Sequence, residues 1–378
     1  MKKLRLAEKN TVSNDNSLDF PMLVTIIVLL CLGLIMVATA SSYYALNNYN
    51  DSNYFLVRQG IFAAIGIVAM IVISRVDYRI YKKWAYLGYG IALALLIAVL
   101  IPGIGKSVNG ATRWLGFGSL TFQPSEIMKI MLVMAVATYI ANNKKKLNTI
   151  KGYFVPIGLL VAVVGVMFLQ KHMSGSIVMM VAACSIIFAS GIKIKAKYVI
   201  GIIVIAVLAF AIFISAEEFR AQRIFSFLNP EEDIRGGNWQ AAQSIYAIGS
   251  GGIFGRGLGQ SRQKYLWLPE AQTDFIFSVL GEEFGLLGTT TVLAIFTFFI
   301  YRGYKIAMTC KDMYGSMIAS GIVSVFAFQI MVNLAVVTCS MPVTGMPLPF
   351  FSYGGTALFI NLCAMGVLLS ISRNCSKK

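Results

Sequence analysis

Pro269-Glu270-Ala271-Gln272-Thr273-Asp274-Phe275-Ile276-Phe277-Ser278-Val279-Leu280 turns from polar to apolar across one peptide bond, and the apolar side runs on to about Ile300. A helix needs about 17 to 25 such residues to cross a hydrocarbon core. A carboxylate at the mouth of a span is costly to ionise and reachable from water or lipid, so Asp274 is a functional candidate by default.

Outward from that boundary, comparable apolar runs fall at about 20–40, 59–75, 84–101, 124–141, 153–169, 175–191, 198–215, 275–300, 315–339 and 354–372. The composition agrees: 57% hydrophobic residues, 13% charged and a mean hydropathy of +0.74, against roughly 25% charged in soluble domains. The expected fold is an all-α integral membrane protein of ten transmembrane helices. Lys and Arg flanking the runs set the orientation, because they stay on the cytoplasmic side. Basic collars precede the first run (Lys2, Lys3, Arg5, Lys9), recur at every second connection, and follow the last run (Arg373, Lys377, Lys378). These collars hold 21 of the 32 basic residues, so both termini are expected to be cytoplasmic. The domain layout is then a tail at 1–19, a ten-span domain at 20–373 and a tail at 374–378. Within the domain, a large extracytoplasmic loop at 216–274 joins the seventh and eighth spans.

The formal charge of +16 lies in short collars between apolar runs, not in a basic face interleaved with aromatics, which argues for topology and anionic lipid and against nucleic acid. The six cysteines show no C-x-x-C spacing and no nearby histidines, so neither a disulfide framework nor a zinc site is indicated. Ala38-Thr39-Ala40 resembles a signal-peptidase site, but a span-length run with nine others behind it reads as a retained first helix.

The 216–274 segment is too long for an idle connection, and its apolar and aromatic residues, among them Trp239, Ile245, Tyr246, Phe254 and Trp267, argue for a folded cap at the membrane surface. Two other external loops, 102–123 and 340–353, carry Arg113 and Trp114 and a Pro- and Gly-rich turn. Polar chemistry therefore gathers on the outer face. Glu126 and Lys129, three apart on a helix, share a face and can pair; a structural ion pair and a role in the site are equally open. Glu282 and Glu283 lie two turns into the eighth span, with a packing role as open as a chemical one. In the cap, Arg220, Arg223, Arg235, Arg256, Arg262 and Lys264 suit phosphate recognition, although pairing with the loop's own acids accounts for about half of such residues. Gly249-Ser250-Gly251-Gly252-Ile253-Phe254-Gly255-Arg256-Gly257-Leu258-Gly259 fits no nucleotide-binding pattern and reads as tight turning and close helix approach. His172 reads as surface decoration.

Taken together, the motifs resemble one family. They are Asn109-Gly110-Ala111-Thr112-Arg113-Trp114; Gln123-Pro124-Ser125-Glu126 with Lys129; Gly257-Leu258-Gly259-Gln260-Ser261-Arg262-Gln263-Lys264; Leu268 through Phe277; and Pro349-Phe350-Phe351-Ser352-Tyr353-Gly354-Gly355. The chain resembles the shape, elongation, division and sporulation proteins, the RodA/FtsW/SpoVE family of peptidoglycan glycosyltransferases, from about Phe20 to Arg373. Its short tails and Pro-Glu-Ala-Gln-Thr-Asp wording look closer to the FtsW/SpoVE branch.

That resemblance implies polymerisation of lipid II into β-1,4-linked glycan strands with release of undecaprenyl pyrophosphate, in the bacterial cytoplasmic membrane. It implies a class B penicillin-binding protein, a transpeptidase, as partner. It puts the catalytic aspartate on Asp274, as general base for an inverting displacement, with Glu126 and Lys129 as the supporting pair. Arg113, Trp114, Arg223, Arg262, Lys264 and Ser352 are expected to contact substrate or support the site. A divalent cation, Mg or Mn, suits chemistry at a pyrophosphate, but no ligand set is legible. One stretch departs from the family: where relatives carry an acidic Pro-Asp-Leu-Gly-Thr-like loop, this chain has Gln170-Lys171-His172-Met173-Ser174-Gly175-Ser176. The rival reading is a lipid II flippase or transporter, for which key polar groups are expected near the bilayer midplane on broken helices, not gathered at one face.

Overall fold

The computed structural model describes residues 18–108, 111–117, 120–148, 150–191, 238–265 and 267–375. Its helices are α1 (Phe20–Tyr49), α2 (Tyr54–Arg75), α3 (Tyr81–Ala98), α4 (Pro124–Asn142), α5 (Phe154–Leu169), α6 (Met173–Ala189), α7 (Trp239–Ser250), α8 (Ile276–Thr309), α9 (Met313–Val337) and α10 (Gly355–Cys375). Every expected apolar run falls on one of these except 198–215, which lies outside the described residues. By length and hydropathy, α1, α2, α4, α8, α9 and α10 can cross a membrane; α5 and α6 are shorter apolar helices. The molecule is therefore mostly helical and has the character of an all-α membrane protein.

An addition to that plan stands between α3 and α4, where the sequence suggested only a loop. Three antiparallel strands, β1 (Gly105–Val108), β2 (Ala111–Phe117) and β3 (Leu120–Phe122), form a small meander. The sequence did carry the signal: Asn-Gly at 109–110 and Gly-Ser at 118–119 are dipeptides of the kind that favours hairpins.

Helix ends sort to two sides of the bundle. On one side Asp19 caps α1 through the Met22 amide and pairs with Arg302 near the end of α8, while its own amide donates to Ser372. Asp312 caps α9 and accepts the Tyr78 hydroxyl at 2.8 Å, and Ser370 Oγ donates to the Val76 carbonyl. A disulfide joins Cys310 to Cys375 here, a pairing their spacing did not suggest. On the opposite side lie the sheet, the α5–α6 turn, the segment leading into α8 and the 340–354 loop. The centre is filled by α4, α9 and α10, with an aromatic stack of Phe296, Phe299, Phe326, Phe350 and Phe351.

Helix α8 is spliced. At Gly285 (φ 63°, ψ −161°) its backbone leaves the helical region, a conformation open mainly to glycine. The two hydrogen bonds that Leu286 and Leu287 would give to Glu282 and Glu283 are replaced by four to the Gly-rich stretch. Leu286 and Leu287 donate to the carbonyls of Gly252 and Ile253, while Arg256 and Gly257 donate to those of Glu282 and Glu283. Gly255 (φ 79°) faces Gly285 across the splice, and a Cβ there would fall 2.2 Å from the Glu283 carbonyl oxygen. Non-helical backbone survives within an apolar region only when protein satisfies its polar groups.

Candidate functional site

Asp274 ends the polar segment two residues before α8, and the chain around it is fixed by its carbonyls. Asn333 Nδ2, from α9, donates to the Asp274 carbonyl at 2.8 Å and to that of Met346 at 2.8 Å. Ser352 Oγ donates to the Thr273 carbonyl at 2.6 Å and accepts the Leu348 amide; the Tyr353 amide donates to the Gln272 carbonyl. Gln59, from α2, holds the far edge of this loop through the Ser352 carbonyl and the Gly354 amide. Three successive carbonyls are thus tied down, which leaves the Asp274 carboxylate pointing from a rigid base.

That carboxylate lies against Gly345, where a Cβ would sit 3.4 Å from Oδ2. It is partly buried. Burial, aided by the Glu270 carboxylate, pushes its pKa up to about 7, against the opposing pull of Arg113. An aspartate has an ordinary pKa of about 3.9, so the site makes this one a far better proton acceptor at neutral pH.

Arg113 comes from β2 and donates to the Lys171 carbonyl in the α5–α6 turn. Trp114, its neighbour on the strand, projects to the opposite side by the two-residue alternation and lies across from Lys106. Glu126 and Lys129 form a buried ion pair of 2.7 Å on the first turns of α4. The pairing expected from their spacing is present, and the pair adjoins the same pocket, since the Lys129 charge is felt by His172. Ser174 Oγ, from the first turn of α6, donates to the Thr344 carbonyl beside Gly345. Asp274 thus meets Gly345 of the 340–354 loop and feels Arg113 of β2, which in turn holds the α5–α6 turn.

Lys264 and Arg262 belong elsewhere. Lys264 Nζ is buried, donates to the Gly259 carbonyl and pairs with Glu283 at 3.5 Å. Glu282 accepts the Ser261 hydroxyl at 2.6 Å and the amides of Arg262 and Gln263, and pairs with Arg256 at 3.6 Å. These acids organise the cap's Gly257–Lys264 turn. The exposed Arg262 side chain lines an open cavity of about 430 Å³ with Arg256 and Gln260. Arg223 lies outside the described residues.

Several site residues escaped the sequence reading. His172 is buried, not a surface decoration, because its ring packs over the first turn of α6 at Gly175. Asn333 sits in the apolar Met313–Val337 helix, and Thr344 and Ser174 join the pocket from flanking turns. An amide within an apolar run was a usable signal for Asn333, although Gln329 in the same run carries it equally; nothing comparable marks Thr344. Among the described residues no three His, Cys, Asp or Glu side chains cluster to hold a metal ion, and Glu126 is occupied by Lys129.

Comparison with known proteins gives concordant likenesses. A family model for FtsW, RodA and SpoVE, described as a cell cycle protein, matches residues 20–377. The stage V sporulation protein E of Bacillus subtilis is 42% identical over 96% of this chain and 98% of its own length. A probable peptidoglycan glycosyltransferase FtsW of Trichlorobacter lovleyi is 40% identical over 94% of this chain and 93% of its own. In structure, a chain from a peptidoglycan synthase complex that coordinates polymerization and crosslinking superposes with a TM-score of 0.79, at 26% identity, over 96% of this chain and 99% of that one. The rod shape determining protein RodA of Thermus thermophilus gives a TM-score of 0.69 at 26% identity, over 95% of this chain and 98% of its own.

Proposed function

The chain belongs to the FtsW, RodA and SpoVE family, on the FtsW/SpoVE branch, and from that premise we propose that it polymerises lipid II, with Asp274 as the general base. The family activity is that of a peptidoglycan glycosyltransferase serving division or sporulation. The observation that carries the residue-level reading is the Asp274 carboxylate, braced through three carbonyls and raised to about 7 by burial.

In this reading the acceptor's 4-hydroxyl gives its proton to Asp274 as its oxygen attacks the anomeric carbon of the donor. The bond from that carbon to the phosphate oxygen breaks, undecaprenyl pyrophosphate leaves with the electron pair, and the anomeric configuration inverts. A base with a pKa near the working pH is both largely ionised and strong enough to take the proton. Arg113 keeps part of the carboxylate ionised. The Glu126–Lys129 pair lends the pocket a polar wall. No step runs through a metal ion.

Ten spans, cytoplasmic termini and an active face on the outer side of the bacterial cytoplasmic membrane complete the proposal. It is supported by the basic collars and by the gathering of the site residues at the end of the bundle opposite Asp19, Asp312 and Arg302. A class B penicillin-binding protein is the proposed partner, in keeping with the likeness to a synthase complex.

The test is glycan-strand formation from lipid II by the purified chain with such a partner, wild type against Asp274→Asn at matched folding. Strands from wild type and none from the variant are expected. Undiminished polymer from the variant removes Asp274 from the mechanism, and no polymer from wild type with any partner moves lipid II transport to the front.

A further inference from the structure

His172 is the single histidine of the chain, and the reaction above leaves it without a task. It is 8% exposed and caps α6 at the turn from α5. Among the described residues, its Nδ1 has no hydrogen-bond partner. Buried polar atoms are nearly always satisfied, so an orphan at a pocket calls for a ligand. The ring lies on the first turn of α6, since a Cβ on Gly175 would fall 2.6 Å from its Cε1 and 2.7 Å from its Nδ1. Unpaired amides at a helix start carry the positive end of the helix dipole and favour anions.

The charges around the ring point the same way. Arg113 of β2 holds the carbonyl next to it in the chain. Burial first, then the charges of Arg113 and of Lys129 on α4, push the imidazole down to about 3, so it is neutral in the empty site. The acids nearby are Glu126, already paired with Lys129, and Asp274, which shares the influence of Arg113. A neutral imidazole held among cations, with one nitrogen unsatisfied, is arranged for an anion and not for a sugar hydroxyl.

We propose that His172, Arg113 and the N-terminus of α6 form a phosphoryl subsite, in which His172 Nδ1 donates a hydrogen bond to a phosphate oxygen. Assigning that phosphate to the leaving pyrophosphate of the donor rests on the polymerase reading. Arrival of the anion offsets Arg113 and Lys129 and lets the ring hold a second proton. His172 then stabilises the charge that develops as the bond to the anomeric carbon breaks, opposite Asp274, which takes the acceptor's proton.

A lone histidine makes the test direct. The full chain, carrying a tag without histidine and labelled with 13C at histidine Cε1, yields one ring resonance. Without ligand it is expected to stay at its neutral position between about pH 5 and 8, the range where an ordinary histidine titrates. With inorganic pyrophosphate it should move and begin to titrate within that range; sulfate at equal ionic strength should move it less. A resonance indifferent to pyrophosphate through a full titration overturns the subsite. In turnover, His172→Leu should weaken inhibition by pyrophosphate by about tenfold or more, the worth of one hydrogen bond to a charged group. His172→Gln, which keeps a donor, should recover most of that loss. Equal losses in both variants with inhibition unchanged assign His172 to folding alone and overturn the proposal. The two readings fail separately: a moving resonance without polymer sinks the polymerase assignment, whereas polymer with a fixed resonance sinks the subsite.

Discussion

Asp274 and Glu282 lie about two helical turns apart on one stretch of chain, and their surroundings differ in kind. Glu282 is saturated: one hydroxyl, two amides and an arginine converge on its carboxylate. Around Asp274 the chain is anchored by backbone carbonyls, while side-chain groups of the pocket are left open. Ser125 Oγ, His172 Nδ1, Asn333 Oδ1 and Thr344 Oγ1 are all buried without a hydrogen-bond partner. Among the described residues, the cap junction keeps only the second oxygen of Glu283 and that of Gln263 in that state. An acid whose hydrogen bonds are complete holds a fold together, whereas an acid set among unfinished polar groups waits for substrate. Burial separates them too: Glu282 is fully enclosed, whereas Asp274 stays partly open.

The contrast is most easily broken at Asp274. Asp274→Asn should lower polymerisation on the order of 10²- to 10⁴-fold, the usual contribution of a positioned base, without loss of thermal stability. It should raise stability at alkaline pH. Folding lifts this carboxyl to about 7, so between its unfolded and folded pKa the native state binds more protons, and stability falls as pH climbs through that window. An amide escapes the cost of a buried charge, and thermal unfolding of wild type and variant at acid and alkaline pH checks the sign.

Glu282→Ala should do the reverse. It strands the Ser261 hydroxyl and the amides of Arg262 and Gln263, with an expected loss of about 3–5 kcal/mol, as for one partner removed from a buried pair. Activity per folded molecule should stay within a few-fold of wild type; unfolding in detergent and turnover normalised to folded protein measure the two effects. If activity collapses instead while stability holds, the division drawn here is wrong.

Glu126→Gln leaves Lys129 buried without its counter-charge. The double substitution Glu126→Gln with Lys129→Met should restore most of the lost stability but not the lost activity, because the ion pair also shapes the pocket; a double-mutant cycle on both readouts decides. The pH–rate profile sharpens the same point: wild-type turnover should rise through about pH 7 and level off above it, as Asp274 loses its proton. Smallest of all, Arg262→Ala on the exposed cap should change turnover by less than about fivefold, in line with the modest worth of exposed charges.

Much of this was legible in the chain. Apolar runs gave the helices, because lipid forces backbone satisfaction within each span, and the motif around Asp274 pointed to the pocket proposed as the site. The 105–122 sheet was legible in principle from its two hairpin dipeptides and was passed over as loop. His172 was misread because a polar residue between two runs looks exposed when neighbours from β2 and α4, distant in sequence, are not in view. Lys264 shows the same limit from the other side: its composition suited phosphate, but its partner Glu283 lies on a helix that sequence alone did not fold back upon it. Pairing across long loops is where local reading fails.

The splice at Gly285 carries a consequence for how the molecule is made. Residues 252–257 emerge from the ribosome before α8, and they supply two carbonyls and two amides that the helix needs across its break. On the proposed topology, until that hexapeptide has been delivered to the outer side, Leu286 and Leu287 have nowhere to send their amide protons, and α8 cannot settle as a finished helix in lipid. Export of a short glycine-rich loop is thereby a prerequisite for integration of a membrane helix. A lesion such as Gly255→Val should be met by the cell as a biogenesis defect, with the polypeptide degraded at the translocation stage before any question of catalysis arises.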